Sequence, residues 1–294
     1  MGKEQRILRT AVGDRNSQKG EIMANAQFKV NTDKCTGCGL CLAVCPGNMI
    51  NGDVLTMGDG HPVMVNQSKF GWDGCWRCLH CLAVCPEGAL SILGLSPEEV
   101  PPKPDPHTAE ELAKLMQFRR SCRDFRKEEV DTETIDEILD AVCAVPTGGN
   151  NQRLQFTVVY TRDAMKKVYG AVFGNDRQMS FLDEGGDEDD LSALRIYDAP
   201  HLFIAHKEAS ERFADGDVVE INMATAYFEL LANAKGLGTV VSTYSAELLS
   251  KSREVRKLLN IPENHRFMTV VGFGYPKYKY ARGVRKSKPV YKLR

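Results

Sequence analysis

The chain has 294 residues, which at ~150 residues per domain suggests about two domains. Its composition, 43% hydrophobic and 26% charged, is ordinary for a globular protein and excludes a disordered or fibrous one. The net charge of −1 gives no overall attraction to nucleic acid or membranes, so such a preference would need a local patch. Ten cysteines are present, and eight of them fall between Cys35 and Cys85.

Residues 1–27 are predicted to be a flexible leader. They mix charges and contain no apolar segment of the kind that a secretory signal requires. No apolar run in the chain approaches the ~18 residues of a membrane span, so we expect a cytoplasmic protein without a membrane partner. In that reducing compartment, clustered cysteines more often hold metal than form disulfides.

An internal repeat lies within residues 28–96. The string CTGCGLCLAVCP at 35–46 is echoed by CWRCLHCLAVCP at 75–86, so both copies follow the spacing C-x2-C-x2-C-x3-C-P. Three closely spaced thiolates can bind one corner of an iron–sulfur cubane, and the fourth ligates the other cluster. The spacing therefore predicts two [4Fe–4S] clusters rather than zinc, which prefers paired C-x2-C units separated by a long gap. The predicted ligands are Cys35, Cys38, Cys41 and Cys85 for cluster 1, and Cys75, Cys78, Cys81 and Cys45 for cluster 2.

This region resembles a bacterial-type two-cluster ferredoxin domain, but its repeats are farther apart. The segment GDVLTMGDGHPVMVNQ at 52–67 predicts an inserted β-hairpin. Five prolines between Pro97 and Pro106 then predict a non-helical, semi-rigid linker over 97–107. Cys122 and Cys143 lie outside the repeat and are expected to be free buried thiols.

From residue 108 onward the pattern alternates between helices and strands, so the predicted fold class is α+β. Thr108 is expected to cap the first helix, Asp131 or Thr132 the second, and Gly236 to end the longest. That helix is apolar on nearly every face and should lie in a core or an interface. Helices are predicted over 109–118, 131–145, 163–172, 217–235 and 246–259, and strands over 155–161, 201–207, 239–243 and 266–275.

Three segments of this larger part are candidates for ligand binding. RRSCRDF at 119–125 offers guanidinium groups that suit a phosphate, or it is a solvated basic helix end. PTGGNNQ at 146–152 carries amides that match the edge of a flavin pyrimidine ring, or it is a polar loop. KGLGTVVST at 235–243 has glycines that let the backbone approach a flat cofactor closely. The acidic segment 183–190 is predicted to be a solvated loop.

Taken in this order, the segments resemble the nitroreductase family of flavoproteins over residues 108–294. The resemblance implies that Arg119, Arg120, Ser121 and Arg123 bind the phosphate of FMN, and that Lys286 and Lys288 complete the phosphate site. It further implies that Asn150 and Gln152 contact the flavin or substrate, with Val241, Ser242 and Thr243 near the ring. Arg153 and Leu154 replace the family's Pro-Trp, which bears on the wall of the substrate site.

The resemblance implies a mixed sheet flanked by helices and an intertwined homodimer. We expect an FMN-dependent oxidoreductase that takes electrons from a low-potential donor such as ferredoxin. The two clusters would pass them to FMN, and FMN to a nitroaromatic or quinone-like acceptor. No residue is predicted to act as a catalytic acid, and His206 and Tyr244 are expected to be core residues.

Two alternatives bear on this expectation. The altered 153–154 pair is compatible with an electron-transfer or redox-sensing module that has no turnover. The segment 277–294 has eight basic residues and three tyrosines, a pattern also found in proteins that bind nucleic acid. An arm that reaches a dimer partner and supplies the phosphate lysines explains the same charges, so no nucleic-acid partner is expected.

Overall fold

The computed structural model describes residues 8–11, 26–65, 73–173, 196–212 and 214–284. The chain divides into two compact units. The cysteine unit comprises residues 13–105 and 148–151, and the sheet unit comprises residues 1–12, 106–147 and 152–294. The boundary between 105 and 106 falls within the predicted linker.

The cysteine unit is built from short elements around its thiols. In chain order they are β2 (Lys29–Val30), α1 (Leu40–Ala43), α2 (Pro46–Ile50), β3 (Leu55–Gly58), β4 (His61–Met64), α3 (His80–Val84) and β5 (Leu90–Ser91). β2 pairs antiparallel with β5, and β3 with β4, which confirms the predicted hairpin. Cys41, Cys75 and Cys81 belong to the small core, so the metal ligands are also core residues.

The sheet unit has an antiparallel sheet with helices on both faces. Its elements are β1 (Leu8–Ala11), α4 (Thr108–Phe118), α5 (Thr132–Val142), β6 (Gln155–Val159), α6 (Arg162–Phe173), β7 (His201–Glu208), α7 (Ala214–Ala234), β8 (Gly238–Ser242), α8 (Thr243–Lys251), α9 (Arg253–Leu259), β9 (His265–Arg266) and β10 (Val270–Gly274). The strand order is β1-β6-β7-β10-β8, and β9 pairs with β7. Among the described residues, every strand pair of this sheet is antiparallel, and its one parallel contact is the isolated bridge between Ser121 and Thr239.

Both faces of this sheet are covered, because β7 sends alternate side chains into two cores. Phe203 and Ala205 pack in the core that also contains residues of α5 and α7. Leu202 and Ile204 pack in the core that also contains residues of α6, α8 and α9. A strand buried on both faces is expected to contain a continuous apolar run, and residues 202–205 of β7 form one.

A buried histidine on β7 links the sheet to the loop before α5. His201 is fully buried, and its Nε2 accepts a hydrogen bond from the Val130 amide at 2.9 Å. The ring is therefore neutral, with Nδ1 donating to the Tyr160 carbonyl. Burial lowers the pKa of His201 to about 4.

The structure corrects several sequence predictions. Residues 8–11 of the predicted leader form β1, which pairs with β6. Residues 97–99 of the predicted non-helical linker form one 3-10 turn, because Ser96 and Glu99 make a capping box. Thr108 lies inside α4 rather than capping it. The predicted helix 246–259 is two helices, since Ser252 is extended and accepts a hydrogen bond from the Val255 amide.

Other predictions are confirmed. The Asp131 carboxylate caps α5 by accepting a hydrogen bond from the Thr134 amide at 2.7 Å. Gly236 ends α7 with a positive φ of 81°, which a glycine adopts at little cost. The predicted strand 266–275 is confirmed only in part, because β10 covers Val270–Gly274 whereas His265–Arg266 form the separate strand β9. In the part of the chain that the structure describes, no helix is long and apolar enough to cross a membrane.

Candidate functional site

The first predicted ligand set surrounds one cavity in the cysteine unit. Pro62 of the β3–β4 hairpin also lines it. Burial raises the pKa of the Cys41 thiol, and the neighbouring charges of Cys38 and Cys35 raise it further. The four cysteines on the cavity wall are Cys35, Cys38, Cys41 and Cys85, three from the first repeat and one from the second.

Members of the second predicted set share the small core of this unit, where Cys75 and Cys81 are buried and Cys45 packs against them. Burial raises the pKa of the Cys81 thiol to about 12, and the charges of Cys75, Cys78 and Cys45 act in the same direction. Thiols that repel one another as thiolates are suited to an iron cluster, whose positive metal ions favour the deprotonated form. Among the described residues, no three His, Cys, Asp or Glu side chains are grouped as a candidate site for one metal ion.

The arginine-rich segment after α4 lies along β8. Ser121 bridges Thr239, and the Cys122 amide donates a hydrogen bond to the Thr239 carbonyl at 2.8 Å. The predicted phosphate segment and the glycine segment are therefore side by side at the edge of the sheet. Gly238 allows this approach, because a Cβ there would lie 2.7 Å from Cβ and Sγ of Cys122.

A cavity of about 380 Å3 opens beside this contact within the sheet unit. Its size is within the range of ~300–1,000 Å3 that is usual for small-molecule sites. Gly236, Leu237 and Gly238 form part of its wall. The cavity combines four cations, Arg119, Arg120, Arg126 and Lys279, with four aromatic side chains, Phe118, Tyr275, Tyr278 and Tyr280. It therefore suits a ligand that has both a phosphate and an aromatic ring.

The predicted phosphate arginines differ in their contacts. Arg119 pairs with Glu229 of α7, with Nη1 and Oε1 2.8 Å apart. Arg120 donates to the carbonyls of Arg119 and Gln117 at 2.6 and 2.8 Å, and so helps to end α4. Arg123 is exposed, and its guanidinium carbon lies 5.4 Å from the centre of the Tyr197 ring.

The residues predicted to lie near the flavin ring, 241–243, follow Thr239 in the sequence. Val241 is 37% exposed, whereas Ser242 is buried and accepts a hydrogen bond from the Ser245 amide at 3.0 Å. The Ser242 hydroxyl therefore caps α8, which is a sufficient structural reason for a serine there. Thr243 is exposed at the first position of that helix.

The predicted amide segment 146–152 does not line the cavity described above. Asn150 belongs to the cysteine unit, where its Nδ2 donates to the carbonyls of Trp76 and Arg77. Gln152 belongs to the sheet unit and has an amide that donates to Thr147 Oγ1 at 3.1 Å. The following Leu154 is 2% exposed and packs in the sheet core.

Lys286 and Lys288 lie outside the described residues, as does the acidic segment 183–190. The chain does return to the phosphate segment shortly before them. The Val284 amide donates to the Gln117 carbonyl at 3.1 Å, and its carbonyl accepts from Arg120 at 3.4 Å.

The sequence analysis missed part of the cavity wall. Arg126 and Lys279 were not predicted as binding residues, although the basic and aromatic character of the 277–294 tail was a signal for Lys279. Cys122 is buried as expected, and Cys143 is half-buried. His206 is buried as expected, but Tyr244 is 41% exposed, so its predicted core role is wrong.

Comparison with known proteins identifies both parts of the chain. The family model described as "Nitroreductase family" matches residues 116–275, more than half of the chain. The chain belongs to the nitroreductase family. The model described as "4Fe-4S dicluster domain" matches residues 34–89, which include every predicted ligand. The protein is therefore an oxidoreductase of this family, preceded in sequence by a domain with two [4Fe–4S] clusters.

Individual relatives are similar to part of the chain. A protein of Archaeoglobus fulgidus, assigned provisionally as an NADH dehydrogenase/NAD(P)H nitroreductase, is 32% identical over 57% of this chain and 87% of its own. The iodotyrosine deiodinase of Thermotoga neapolitana is 28% identical over 58% of this chain and 93% of its own. A solved nitroreductase with bound FMN from Desulfitobacterium hafniense is 20% identical, covers 63% of this chain and 98% of that one, and has a TM-score of 0.49.

Proposed function

We propose that this iron–sulfur flavoenzyme accepts electrons from a low-potential donor of the ferredoxin type and transfers them to a small aromatic acceptor. The donor supplies one electron at a time, and the two clusters pass these electrons on singly. FMN, when bound, supplies the step from one-electron to two-electron chemistry, with hydride leaving from its N5. Nitroaromatic and quinone-like compounds are the proposed acceptors.

The observation that carries this proposal is the cationic, aromatic-lined cavity next to Ser121 and β8. Arg119, Arg126 and Lys279 are the proposed phosphate ligands, because all three line that cavity. Arg120 contributes chiefly by fixing the end of α4, since its guanidinium already bonds three carbonyls. The approach of Val284 supports the proposal that Lys286 and Lys288 add to the same site.

The other proposed flavin contacts remain on β8 and in the loop before β6. Val241, Ser242 and Thr243 stand in sequence after the bridge at Thr239, so their backbone would face the ring. Arg123 lies on the segment 119–125 beside β8. It would supply positive charge near the flavin ring, and positive charge favours an anionic reduced flavin. Gln152 is proposed to reach the ring or the substrate from the loop.

We also propose that the protein is a homodimer. The sheet unit exposes several large apolar side chains, which in a monomer would be left in water: Val219 and Tyr227 of α7, Val241, Tyr244 and Met268. Anaerobic sedimentation analysis tests this directly. A protein that sediments as a monomer at micromolar concentration would refute it.

The phosphate assignment is tested by exchanging the charge of one cavity lysine. Lys279→Glu is expected to weaken FMN binding by about 10–100-fold, because a charge-assisted hydrogen bond is replaced by repulsion. Lys277→Glu is the matched control, since Lys277 lies in the same segment but is not part of the cavity wall. Fluorescence titration of the deflavinated protein with FMN measures both. Equal weakening in the two variants would contradict the assignment.

The electron path is tested with anaerobically purified protein. We expect about eight irons per chain, as two cubanes require, and one FMN. Stopped-flow mixing with reduced ferredoxin should reduce the clusters before the flavin, and NADPH serves as the alternative donor. A nitroaromatic, a quinone or iodotyrosine should then reoxidise the flavin. Failure of every acceptor to do so would instead support a redox module without turnover.

A further inference from the structure

The two cluster-binding loops have the same backbone shape but different residues. In the first repeat, Gly37 and Gly39 have φ values of 67° and 74°. At the corresponding positions of the second repeat, Arg77 and Leu79 have φ values of 51° and 61°. Glycine adopts this left-handed conformation freely, whereas other L-residues adopt it at a cost. The second loop therefore needs contacts that hold it in shape.

One such contact lies within the second loop. Arg77 pairs with Asp73, with Nη2 and Oδ2 2.9 Å apart, and its Nη1 donates to the Cys75 carbonyl at 3.2 Å. Asp73 also accepts a hydrogen bond from the Cys75 amide at 3.1 Å. The Arg77 side chain thus braces the residues on either side of the first cluster ligand in this loop.

A second contact comes from a distant part of the sequence. The Asn150 Nδ2 donates hydrogen bonds to the carbonyls of Trp76 and Arg77, each at 3.0 Å. Both carbonyls lie between the cluster 2 ligands Cys75 and Cys78. Asn150 itself has a φ of 53°, so its own backbone is held in an unfavourable conformation where it meets the loop.

The origin of Asn150 makes this contact informative. Residues 148–151 lie within the nitroreductase match, in the loop between α5 and β6, yet they pack with the cysteine unit. The neighbouring Gln152 belongs to the sheet unit and is a proposed flavin or substrate contact. A loop that lies within the nitroreductase match therefore also supports the second cluster-binding loop.

We propose that Asn150 is a positioning residue that clamps the 75–78 loop and so holds the ligand loop of cluster 2 in shape. This assigns the Asn150 amide to the loop rather than to the flavin ring.

The test compares Asn150→Asp with Asn151→Asp. A carboxylate at 150 cannot donate to the Trp76 and Arg77 carbonyls and is repelled by them. The control places the same charge one residue away, on an exposed side chain whose amide donates to the Gly148 carbonyl. Asn150→Ser supplies a neutral second variant in case the charged one fails to fold.

Two measurements on the anaerobic holoprotein separate the outcomes. In the Asn150 variants we expect faster hydrogen exchange in the peptide covering 74–79. We also expect an altered paramagnetic resonance signal of reduced cluster 2, identified as the signal that Cys78→Ser abolishes. Asn151→Asp should leave both unchanged.

Unchanged exchange and an unchanged cluster 2 signal in the Asn150 variants would overturn the clamp. Equal changes in Asn151→Asp would overturn it as well. If the purified protein binds no FMN, the proposed function fails, whereas the exchange and resonance measurements still decide the clamp.

Discussion

Gly238 provides a sharp test of how the phosphate segment is held against β8. Alanine at this position would place its Cβ 2.7 Å from both Cβ and Sγ of Cys122 and 3.3 Å from Cβ of Pro276. Neither side can move away easily. Gly238 is in register with Gly274 of β10, and Cys122 is tied by its amide to Thr239.

Overpacking of this kind costs about 1–3 kcal/mol. For a unit of ~150–250 residues, 2 kcal/mol corresponds to a fall in Tm of roughly 4–8 °C. FMN affinity should fall as well, because Arg119 and Ser121 lie on the segment that must shift. Urea denaturation of the holoprotein and FMN titration measure the two effects.

A double-mutant cycle with Cys122→Gly isolates the clash, because that substitution removes the two atoms that would lie 2.7 Å from the new Cβ and leaves only Pro276 at 3.3 Å. We expect Gly238→Ala to cost less than about 0.5 kcal/mol when it is combined with Cys122→Gly, leaving a coupling of about 1–2 kcal/mol. If Gly238→Ala lowered the free energy of unfolding equally in both backgrounds, the close approach of Cys122 would not be the reason for glycine at position 238.

Three further predictions concern the clusters and the core. Cys45→Ser and Cys85→Ser should each reduce the iron content to about four per chain, but by loss of different clusters, so their resonance spectra should differ. Because the pKa of His201 is lowered to about 4, protonation favours the unfolded chain, and stability is lost as the pH falls from about 6.5 towards 4. Between pH 7 and 5 the free energy of unfolding, measured by urea denaturation, should fall by about 2 kcal/mol. The His201→Gln variant should lack this fall. An equal pH dependence in that variant would refute the assignment. Ser242→Ala should cost about 1 kcal/mol as a lost cap, and Thr243→Ala clearly less; comparable losses would argue against the cap.

The grouping of Cys35, Cys38, Cys41 and Cys85 around one cavity was predictable because its information is local. The spacing within each repeat determines which cysteines share a loop, and the proline after the fourth cysteine marks the residue that reaches across. The Asp131 cap and the Gly236 stop are local in the same sense. Each depends on the hydrogen bonding or backbone conformation of a single turn, which the neighbouring residues decide.

The binding cavity was only partly predictable, because it depends on contacts between distant segments. Glu229 lies far along the chain from Arg119, and no local pattern pairs them. The reason for Gly238 is the side chain of Cys122, which a sequence motif does not show. The contact of Asn150 was not predictable for the same reason. Its amide was identified as a candidate ligand, but its partners, the carbonyls of Trp76 and Arg77, were not.

The pairing of β1 with β6 affects the order in which the protein can fold. Leu8 is in register with Val158, 150 positions later, and the whole cysteine unit is encoded between these strands. During synthesis β1 emerges first, and it can pair with β6 only after the whole segment between the two strands has been synthesised. The closing of the sheet is thus a late, high-contact-order step, and slow relative to local helix formation. Removing the first residues to isolate a shorter protein would leave the β6 edge of the sheet without this strand and open to pairing with another chain.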